Sequence, residues 1–285
     1  MNAPNNLALS LEGILRGLSD GSLIPYLGAE AVLLDAANAA LPVSPDQLIA
    51  RLHRKVPIPG RLRANLTAAA QYVESQRHRK VLRSIMNECF AQPAIPSLLH
   101  RWLAGLRPPL IVDFGYDGAT ATALAEGRSW GQVQGVSRAE SRAGQGIEWV
   151  RYYDAAGCLC DDVKAESWAT LLYKPLGSVA PAGNFLVSDA DFVEVLTEID
   201  LQTPIPPEVQ RRRATRGFVF LGCRFDSQLA RTYARQLLKR SAGPHFALIE
   251  DGLTRNEQQF VAEQGITVIP ARVRHLLATL CMTIA

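Results

Sequence analysis

Residues 22–32 constrain the fold most, because a short apolar run meets a glycine there and then an alanine-rich segment. The run 23–27 predicts a buried strand that ends at Gly28, and residues 29–40 predict a helix. A strand that breaks at glycine into a helix N-terminus is the phosphate-binding corner of a Rossmann-type fold, because free N–H groups and the helix dipole face the ligand there. The alternative is a tight connection without a ligand, since the three-glycine fingerprint is absent.

The second half of the chain alternates short apolar runs with helical patterns, which predicts a parallel sheet with right-handed crossovers. We expect one sheet whose strands centre on Leu23, Ile111, Leu172, Val219, Leu248 and Val268. Three of these strands end at Gly28, Gly115 and Gly222. Because the carboxyl ends of parallel strands share one edge, these glycines should line the edge where such sheets bind ligands.

Residues 41–106 contain no convincing strand and form a predicted helical insert. Prolines and a glycine separate its helical patterns, which we place at 45–54, 63–75, 79–90 and 95–106. The predicted fold class is therefore α/β, a Rossmann-like parallel sheet flanked by helices, with a helical insert. In this division, residues 1–40 and 107–285 form the Rossmann domain and residues 41–106 form the insert.

Composition narrows the classes of partner. The 285 residues carry a net charge of +3, which does not favour a nucleic-acid-binding or membrane protein. No apolar run of about 18 residues could span a bilayer, and residues 1–10 lack the pattern of a signal peptide. The five cysteines are scattered and odd in number. This usage is typical of a reducing compartment, so we expect a cytoplasmic protein.

Two basic segments are predicted to be surface loops. Residues 129–146 are rich in glycine, serine and arginine. This flexible loop is either a mobile surface segment without a binding role or a docking surface. Residues 204–216 contain three consecutive arginines, for which solvated charge is favoured over a grip on phosphates or an acidic protein. Between the two segments, residues 147–153 predict a strand. The arginines in or beside the first loop are Arg128, Arg138 and Arg142.

Neither the cysteines nor the histidines predict a metal site. Cys158 and Cys160 lie in a turn-like segment without a second pair or a nearby histidine, so surface thiols are favoured over a metal. Cys223 follows a strand-ending glycine, where small-residue packing is favoured over a ligand contact. Ordinary surface or packing roles are expected for His53, His78, His100, His245 and His275.

Four stretches together resemble the prokaryotic sirtuin-like domain family, whose members bind or hydrolyse NAD. They are 26–31 (YLGAEA), 111–117 (IVDFGYD), 173–178 (YKPLGS) and 220–226 (FLGCRFD). The resemblance runs from about residue 11 to residue 270 and implies a Rossmann-like NAD site beneath a helical insert. The residues that it would place at the cofactor are Gly28, Ala29, Glu30, Tyr116, Asp117, Gly177, Ser178, Gly222 and Cys223.

The chain departs from the family pattern where chemistry is expected. Glu30 replaces the second glycine of the first loop, and its carboxylate would repel a pyrophosphate at the helix N-terminus. Gly115 stands where the family has an asparagine, and Leu176 stands where it has the catalytic histidine. Neither residue can exchange a proton or polarise a ribose hydroxyl. The resemblance therefore implies no catalytic residue, and at most weak binding of NAD as a cofactor.

Two functions of different class remain. The first is a catalytically degenerate sirtuin-like protein that binds a cytoplasmic protein partner as an accessory or regulatory factor. The resemblance makes nitrogenase one specific candidate for the enzyme system. The second is an NAD hydrolase or deacylase of the same family, as in antiviral defence. We favour the first because both proton-handling positions are lost together; the oligomeric state is left open.

Overall fold

The computed structural model describes residues 3–127, 129–137, 148–193 and 205–284. Within these ranges the chain forms a nine-stranded sheet and a separate two-stranded ribbon. The strands are β1 (Leu23–Leu27), β2 (Leu110–Asp113), β3 (Trp130–Gly135), β4 (Val150–Asp154), β5 (Leu159–Cys160), β6 (Thr170–Lys174), β7 (Gly177–Ser178), β8 (Asn184–Phe185), β9 (Gly217–Leu221), β10 (His245–Leu248) and β11 (Ile266–Ile269).

Helices flank this sheet on both faces and also cover its carboxyl edge. They are α1 (Ala3–Ser19), α2 (Pro45–Lys55), α3 (Leu66–Cys89), α4 (Leu98–Leu106), α5 (Ala119–Leu124), α6 (Asp162–Ala165), α7 (described over 189–193), α8 (Pro207–Arg213), α9 (Gln228–Leu238), α10 (Arg255–Glu263) and α11 (Val273–Ile284). Among the described residues, no helix is both long and apolar enough to cross a bilayer.

The sheet order is β11-β10-β9-β1-β2-β6-β3-β4-β5. All pairings from β11 to β3 are parallel, whereas β4 and β5 add antiparallel strands at one side. The six predicted strands therefore lie in one parallel sheet, which confirms the α/β, Rossmann-like fold class. The separate ribbon pairs β7 with β8 in an antiparallel manner.

Strand alternation sends buried side chains to two faces. One face packs against α1, α4 and α11, through residues that include Leu27, Ile111, Leu172, Leu103 and Leu276. The other packs against α8, α9 and α10, through residues that include Tyr26, Val112, Phe220, Leu237 and Phe260. A third apolar cluster joins α2 and α3 to the segments that follow β2 and β6. The α2–α3 pair thus covers residues beyond the carboxyl ends of the strands.

The predicted insert contains no strand within residues 41–106, all of which are described. The two helices predicted at 63–75 and 79–90 form α3, whose halves meet at His78. The backbone of His78 has a φ of 66°, in the left-handed region, which breaks the helix there. α4 packs on the sheet rather than only on its neighbours, through Leu99 and Leu103. The division of the chain into two domains stays a prediction.

The helix predicted at 29–40 is wrong, because the chain forms two short 3₁₀ helices there, Ala29–Leu34 and Ala36–Asn38. The buried Asn38 amide donates to the carbonyls of Val32 and Ile95, and its oxygen accepts from the Ile95 N–H. These three hydrogen bonds tie the segment to a distant loop. A side chain engaged with the backbone in this way competes with α-helical pairing.

The loop predicted at 129–146 is wrong in its first part, since Trp130–Gly135 forms the buried strand β3 between β6 and β4. Its glycines suggested a loop, but they allow close packing instead. A Cβ at Gly131 would lie 2.4 Å from the Trp168 ring, and one at Gly135 would lie 2.1 Å from the Pro175 carbonyl oxygen. Arg128, and residues 138–146 with Arg138 and Arg142, lie outside the described residues. The strand predicted at 147–153 is confirmed as β4 within the described range.

The loop predicted at 204–216 is also wrong, because residues Pro207–Arg213 form α8. Proline at the first helical position favours this start, since it has no N–H to leave unpaired. Two of the three arginines are buried rather than solvated, namely Arg212 and Arg213. The guanidinium of Arg212 reaches main-chain carbonyls beneath the sheet, which a local sequence pattern does not reveal.

Candidate functional site

A cleft of about 280 Å³ lies at the carboxyl edge of the sheet, where β1, β2 and β9 end. Side chains of α2 and α3, including Leu48 and Thr67, form part of its wall. Seven of the predicted cofactor residues line this cleft, namely Gly28, Ala29, Glu30, Tyr116, Asp117, Gly222 and Cys223. Gly177 and Ser178 do not line it, but their neighbour Leu176 does. The structure thus brings most of the predicted site together, while ligand binding by these residues stays a prediction.

Gly28 and Gly222 form the floor of the cleft through close backbone packing. The Gly28 N–H donates to the carbonyl of Leu221 at 2.9 Å. A Cβ at Gly28 would lie only 1.9 Å from the Gly222 carbonyl oxygen, so only glycine fits this position. Gly222 has a φ of 66°, which also favours glycine. Strand packing therefore explains both glycines without any ligand.

Glu30 is exposed at the mouth of the cleft, in the first turn of the 3₁₀ helix Ala29–Leu34. A six-residue 3₁₀ helix aligns few peptide dipoles, so it attracts an anion less than a full α-helix would. The two cations that could have paired with Glu30 are engaged elsewhere. Lys174 pairs with Asp113 at 3.0 Å, and Arg224 pairs with Glu257 at 2.7 Å.

A buried charge cluster lies directly behind the cleft and consists of Asp113, Asp117 and Lys174. The Lys174 ammonium group contacts the Asp113 carboxylate and donates to the Asp117 main-chain carbonyl at 2.9 Å. The Asp113 carboxylate also accepts from the Thr120 hydroxyl at 2.7 Å and from the Gly115 N–H at 2.8 Å. Asp113 and Lys174 therefore neutralise each other, which buried charges require.

Asp117 is the member of this cluster that reaches the cleft, although it is only 4% exposed. Its Oδ1 accepts from the Ala119 N–H at 2.9 Å. Its Oδ2 has no hydrogen-bond partner among the described residues, and it lies 2.6 Å from the position that a Cβ on Gly115 would take. Burial raises the pKa of Asp117, and the nearby Lys174 opposes that shift. Burial therefore favours the protonated form of this carboxyl group.

His100 stands near the same cluster, which sequence reasoning missed. It is 3% exposed on α4, and its Nδ1 lies 2.7 Å from the Ser97 hydroxyl. Burial lowers its pKa, while the charges of Asp113 and Asp117 act in the opposite direction. The only sequence signal was its place beside Leu99 and Leu103 on the apolar stripe of a predicted helix.

Leu176 occupies the cleft wall in an apolar cluster that includes Tyr116 and Phe185. The next residue, Gly177, has a φ of 79°, and a Cβ there would lie 2.2 Å from the Asn184 carbonyl oxygen. The Ser178 hydroxyl turns away from the cleft and donates to the Asp117 carbonyl at 3.1 Å. This segment therefore supports the neighbouring backbone and offers no proton-exchanging group to the cleft.

Two further titratable groups in the wall, the Tyr116 hydroxyl and the Cys223 thiol, are held neutral. Burial raises the pKa of Tyr116 and that of Cys223 well above their usual ranges. The Tyr116 hydroxyl donates to the Leu186 carbonyl at 2.7 Å. Cys223 is therefore a thiol rather than a nucleophilic thiolate. Within the described residues, no group of three histidine, cysteine or acidic side chains could hold a metal.

The architecture and these motifs agree with the comparison to known families. The family model of the SIR2-like domain matches residues 110–269, which is more than half of the chain. The chain belongs to the SIR2-like domain family. No curated protein matches it in sequence. The SIR2-like match includes Gly115, Asp117, Leu176 and Gly222, whereas the first glycine turn at Gly28 lies outside it.

Proposed function

We propose that this SIR2-like protein is catalytically degenerate and acts as a partner-binding accessory or regulatory factor of a cytoplasmic enzyme system. The observation that carries the proposal is the pair Gly115 and Leu176, which line the cleft at positions where the resemblance places asparagine and histidine. Neither side chain can take up or release a proton. The cleft thus lies where the resemblance places the family's NAD site, but it lacks the asparagine and the histidine that would handle protons there.

The packing around Gly115 also supports degeneracy. An asparagine there would bring its Cβ to 2.6 Å from Asp117 Oδ2 and 3.2 Å from Asp113 Oδ1. Both carboxylates belong to the buried charge cluster, so at least Asp117 would have to turn. The glycine is therefore adapted to its present neighbours.

We further propose that NAD binds weakly or not at all. Two like charges 4 Å apart repel by about 4 kcal/mol at the dielectric of a protein surface, or about a thousandfold in affinity. Because Glu30 is exposed, solvent screening reduces this penalty, and we expect a loss of at least about tenfold. Calorimetry should detect weak or absent NAD binding by the parent and tighter binding by Glu30→Gly. Tight binding by the parent, or no gain in the variant, would contradict this proposal.

The main test of degeneracy is nicotinamide release from millimolar NAD by the purified protein. Loss of one general acid–base group typically lowers a rate by about 100- to 10,000-fold, so release should not exceed the blank. An active SIR2-like NAD hydrolase assayed in parallel is the control. Turnover equal to that control would refute the proposal.

The alternative is an NAD hydrolase or deacylase, and one observation favours it. Asp117 lines the cleft as a carboxyl group of raised pKa, which is a property of general acids and bases. Under this alternative, Asp117→Asn would abolish turnover that the parent displays. Under degeneracy, neither protein turns NAD over.

The partner proposal needs a separate experiment in the native cytoplasm. We expect chemical crosslinking with mass spectrometry to identify one partner that purifies with the chain at constant stoichiometry. Nitrogenase subunits are the specific candidate, and the resemblance is its only support. Recovery of chaperones alone, at a ratio that varies between preparations, would contradict an accessory role.

A further inference from the structure

Six aromatic rings of the described residues line the wall of the cleft. The rings pack edge to face and face to face, with the centroids of Tyr26 and Phe114 separated by 4.8 Å at an angle of 15°. Aromatic faces carry negative potential and attract cations that have lost their water. The rings that line the cleft belong to Tyr26, Phe90, Phe114, Tyr116, Phe192 and Phe225.

The charges on this wall are predominantly acidic. Among the described residues, Glu30, Asp117 and Asp226 contribute three carboxyl groups to the wall, and Arg224 contributes one guanidinium. Arg224 gives two hydrogen bonds to the Glu257 carboxylate, at 2.7 and 2.9 Å, so its charge is already compensated. The wall therefore favours a positive ligand over an anion.

Asp117 gives the same indication independently of the other acids. It is 96% buried, its Oδ1 is bonded to Ala119, and its Oδ2 is left without a partner among the described residues. The cation nearest to it in the cluster, Lys174, contacts the Asp113 carboxylate and the Asp117 main-chain carbonyl instead. This oxygen is open to the cleft rather than enclosed by protein atoms, so a positively charged ligand can lie against it.

We propose that the cleft binds a small organic cation, an alkylammonium or quaternary ammonium group, with the aromatic rings around its positive centre and Asp117 beside it. A volume of about 280 Å³ is at the small end of ligand pockets, so it suits a compact ligand rather than a dinucleotide. Glu30 and Asp226 lie in the same wall and attract the approaching cation.

The test compares choline with its uncharged isostere, 3,3-dimethylbutan-1-ol, by isothermal titration calorimetry on the full chain. The two probes share shape and hydroxyl, so their difference isolates the positive charge. Choline should bind at least about tenfold more tightly, a ratio that corresponds to one well-placed charge interaction. Equal affinities for the two probes would overturn the proposal. So would the absence of choline binding at about 50 mM, a concentration well above the millimolar Kd of a marginal ligand.

Variants locate the interaction. Asp117→Asn keeps the acceptor for Ala119 but cannot ionise beside the ligand, so choline affinity should fall towards that of the isostere. Glu88→Gln is the matched control, since Glu88 is half exposed and pairs with Lys55 outside the cleft. If Asp117→Asn does not fold, Phe114→Leu removes one aromatic wall and should weaken choline more than the isostere. Unchanged choline affinity in the folded variants would place binding elsewhere and refute the proposal.

Discussion

Two clusters of buried charge lie at opposite ends of the same parallel strands. The amino-edge cluster consists of Glu208 and Arg212 on α8, and Arg212 reaches the carbonyl of Pro109 just before β2. The carboxyl-edge cluster consists of Asp113, Asp117 and Lys174, just behind the cleft. Both clusters are almost fully buried, yet they differ in how completely their hydrogen bonds are made.

In the amino-edge cluster, Arg212 donates from all three of its nitrogens. Its Nε contacts Glu208 at 2.6 Å, and its two Nη atoms donate to four main-chain carbonyls. These carbonyls belong to Pro109, which precedes β2, and to Ala165, Trp168 and Ala169, which precede β6. A guanidinium has five N–H donors, and five contacts satisfy them.

In the carboxyl-edge cluster, the Asp117 Oδ2 lies at the cleft without a partner among the described residues. The comparison teaches that burial of charge does not by itself indicate function. A charge whose hydrogen bonds are complete stabilises the fold, whereas the open carboxylate of Asp117 beside the cleft is where we propose that a ligand binds.

The largest expected effect comes from breaking the complete cluster. Arg212→Ala leaves Glu208 and several carbonyls unpaired in the interior, so the free energy of unfolding should fall by about 3–5 kcal/mol. Urea denaturation measures this loss. Arg211→Ala is the control, because Arg211 bonds the same Glu208 from a side chain that is 64% exposed. It should cost less than about 1 kcal/mol, and equal losses in the two variants would contradict the distinction.

A second substitution tests whether a buried charge with all its hydrogen bonds made is structural even when it lies at the carboxyl edge of the sheet. Glu257 lies at the carboxyl edge, is fully buried, and accepts from Arg224, Thr254 and the Phe225 N–H. Burial acts to raise its pKa, but the hydrogen bonds from Arg224 and Thr254 outweigh it and lower the pKa to about 2. A complete site at this edge should therefore also behave as structural.

Glu257→Gln should lower the free energy of unfolding at pH 7 by about 2–3 kcal/mol. Because the folded pKa is depressed, the stabilisation is present above the unfolded pKa of about 4.3 and is lost as pH falls towards 2. The difference between parent and variant should therefore shrink across that range. A difference that stays constant from pH 7 to pH 2 would show that ionisation of Glu257 is not its source.

The smallest effect on stability is expected at the incomplete cluster. Asp117 has a raised pKa, so its contribution to stability is present below its unfolded pKa of about 3.9 and is lost as pH rises through the folded pKa. Asp117→Asn should be within about 1 kcal/mol of the parent at pH 4 and should gain relative to it as pH rises. The facing groups Asp113, Lys174 and His100 remain in both proteins. A large loss of stability in this variant would make Asp117 structural, like Arg212.

The sequence predicted the six strands of the parallel sheet better than it predicted the segments between them. Each strand of the predicted sheet is a local apolar run, and local runs are read directly from residue order. Gly28, Gly115 and Gly222 were correctly placed at one edge because parallel strands leave no other arrangement. The strand β3 was missed because Gly131 and Gly135 suggest a loop until Trp168 and Pro175 are packed against them.

The sequence by itself determined the parallel sheet and the identities of Glu30, Gly115 and Leu176, and hence the chemistry that these positions lack. Only the tertiary structure decided which charges are satisfied. Arg212 bonds residues 103 and 47 positions away, and Lys174 bonds one 57 positions away. Hydrogen bonds between such distant groups depend on how the elements pack. No local pattern could therefore reveal that Arg212 makes all its hydrogen bonds, or that the Asp117 Oδ2 makes none among the described residues.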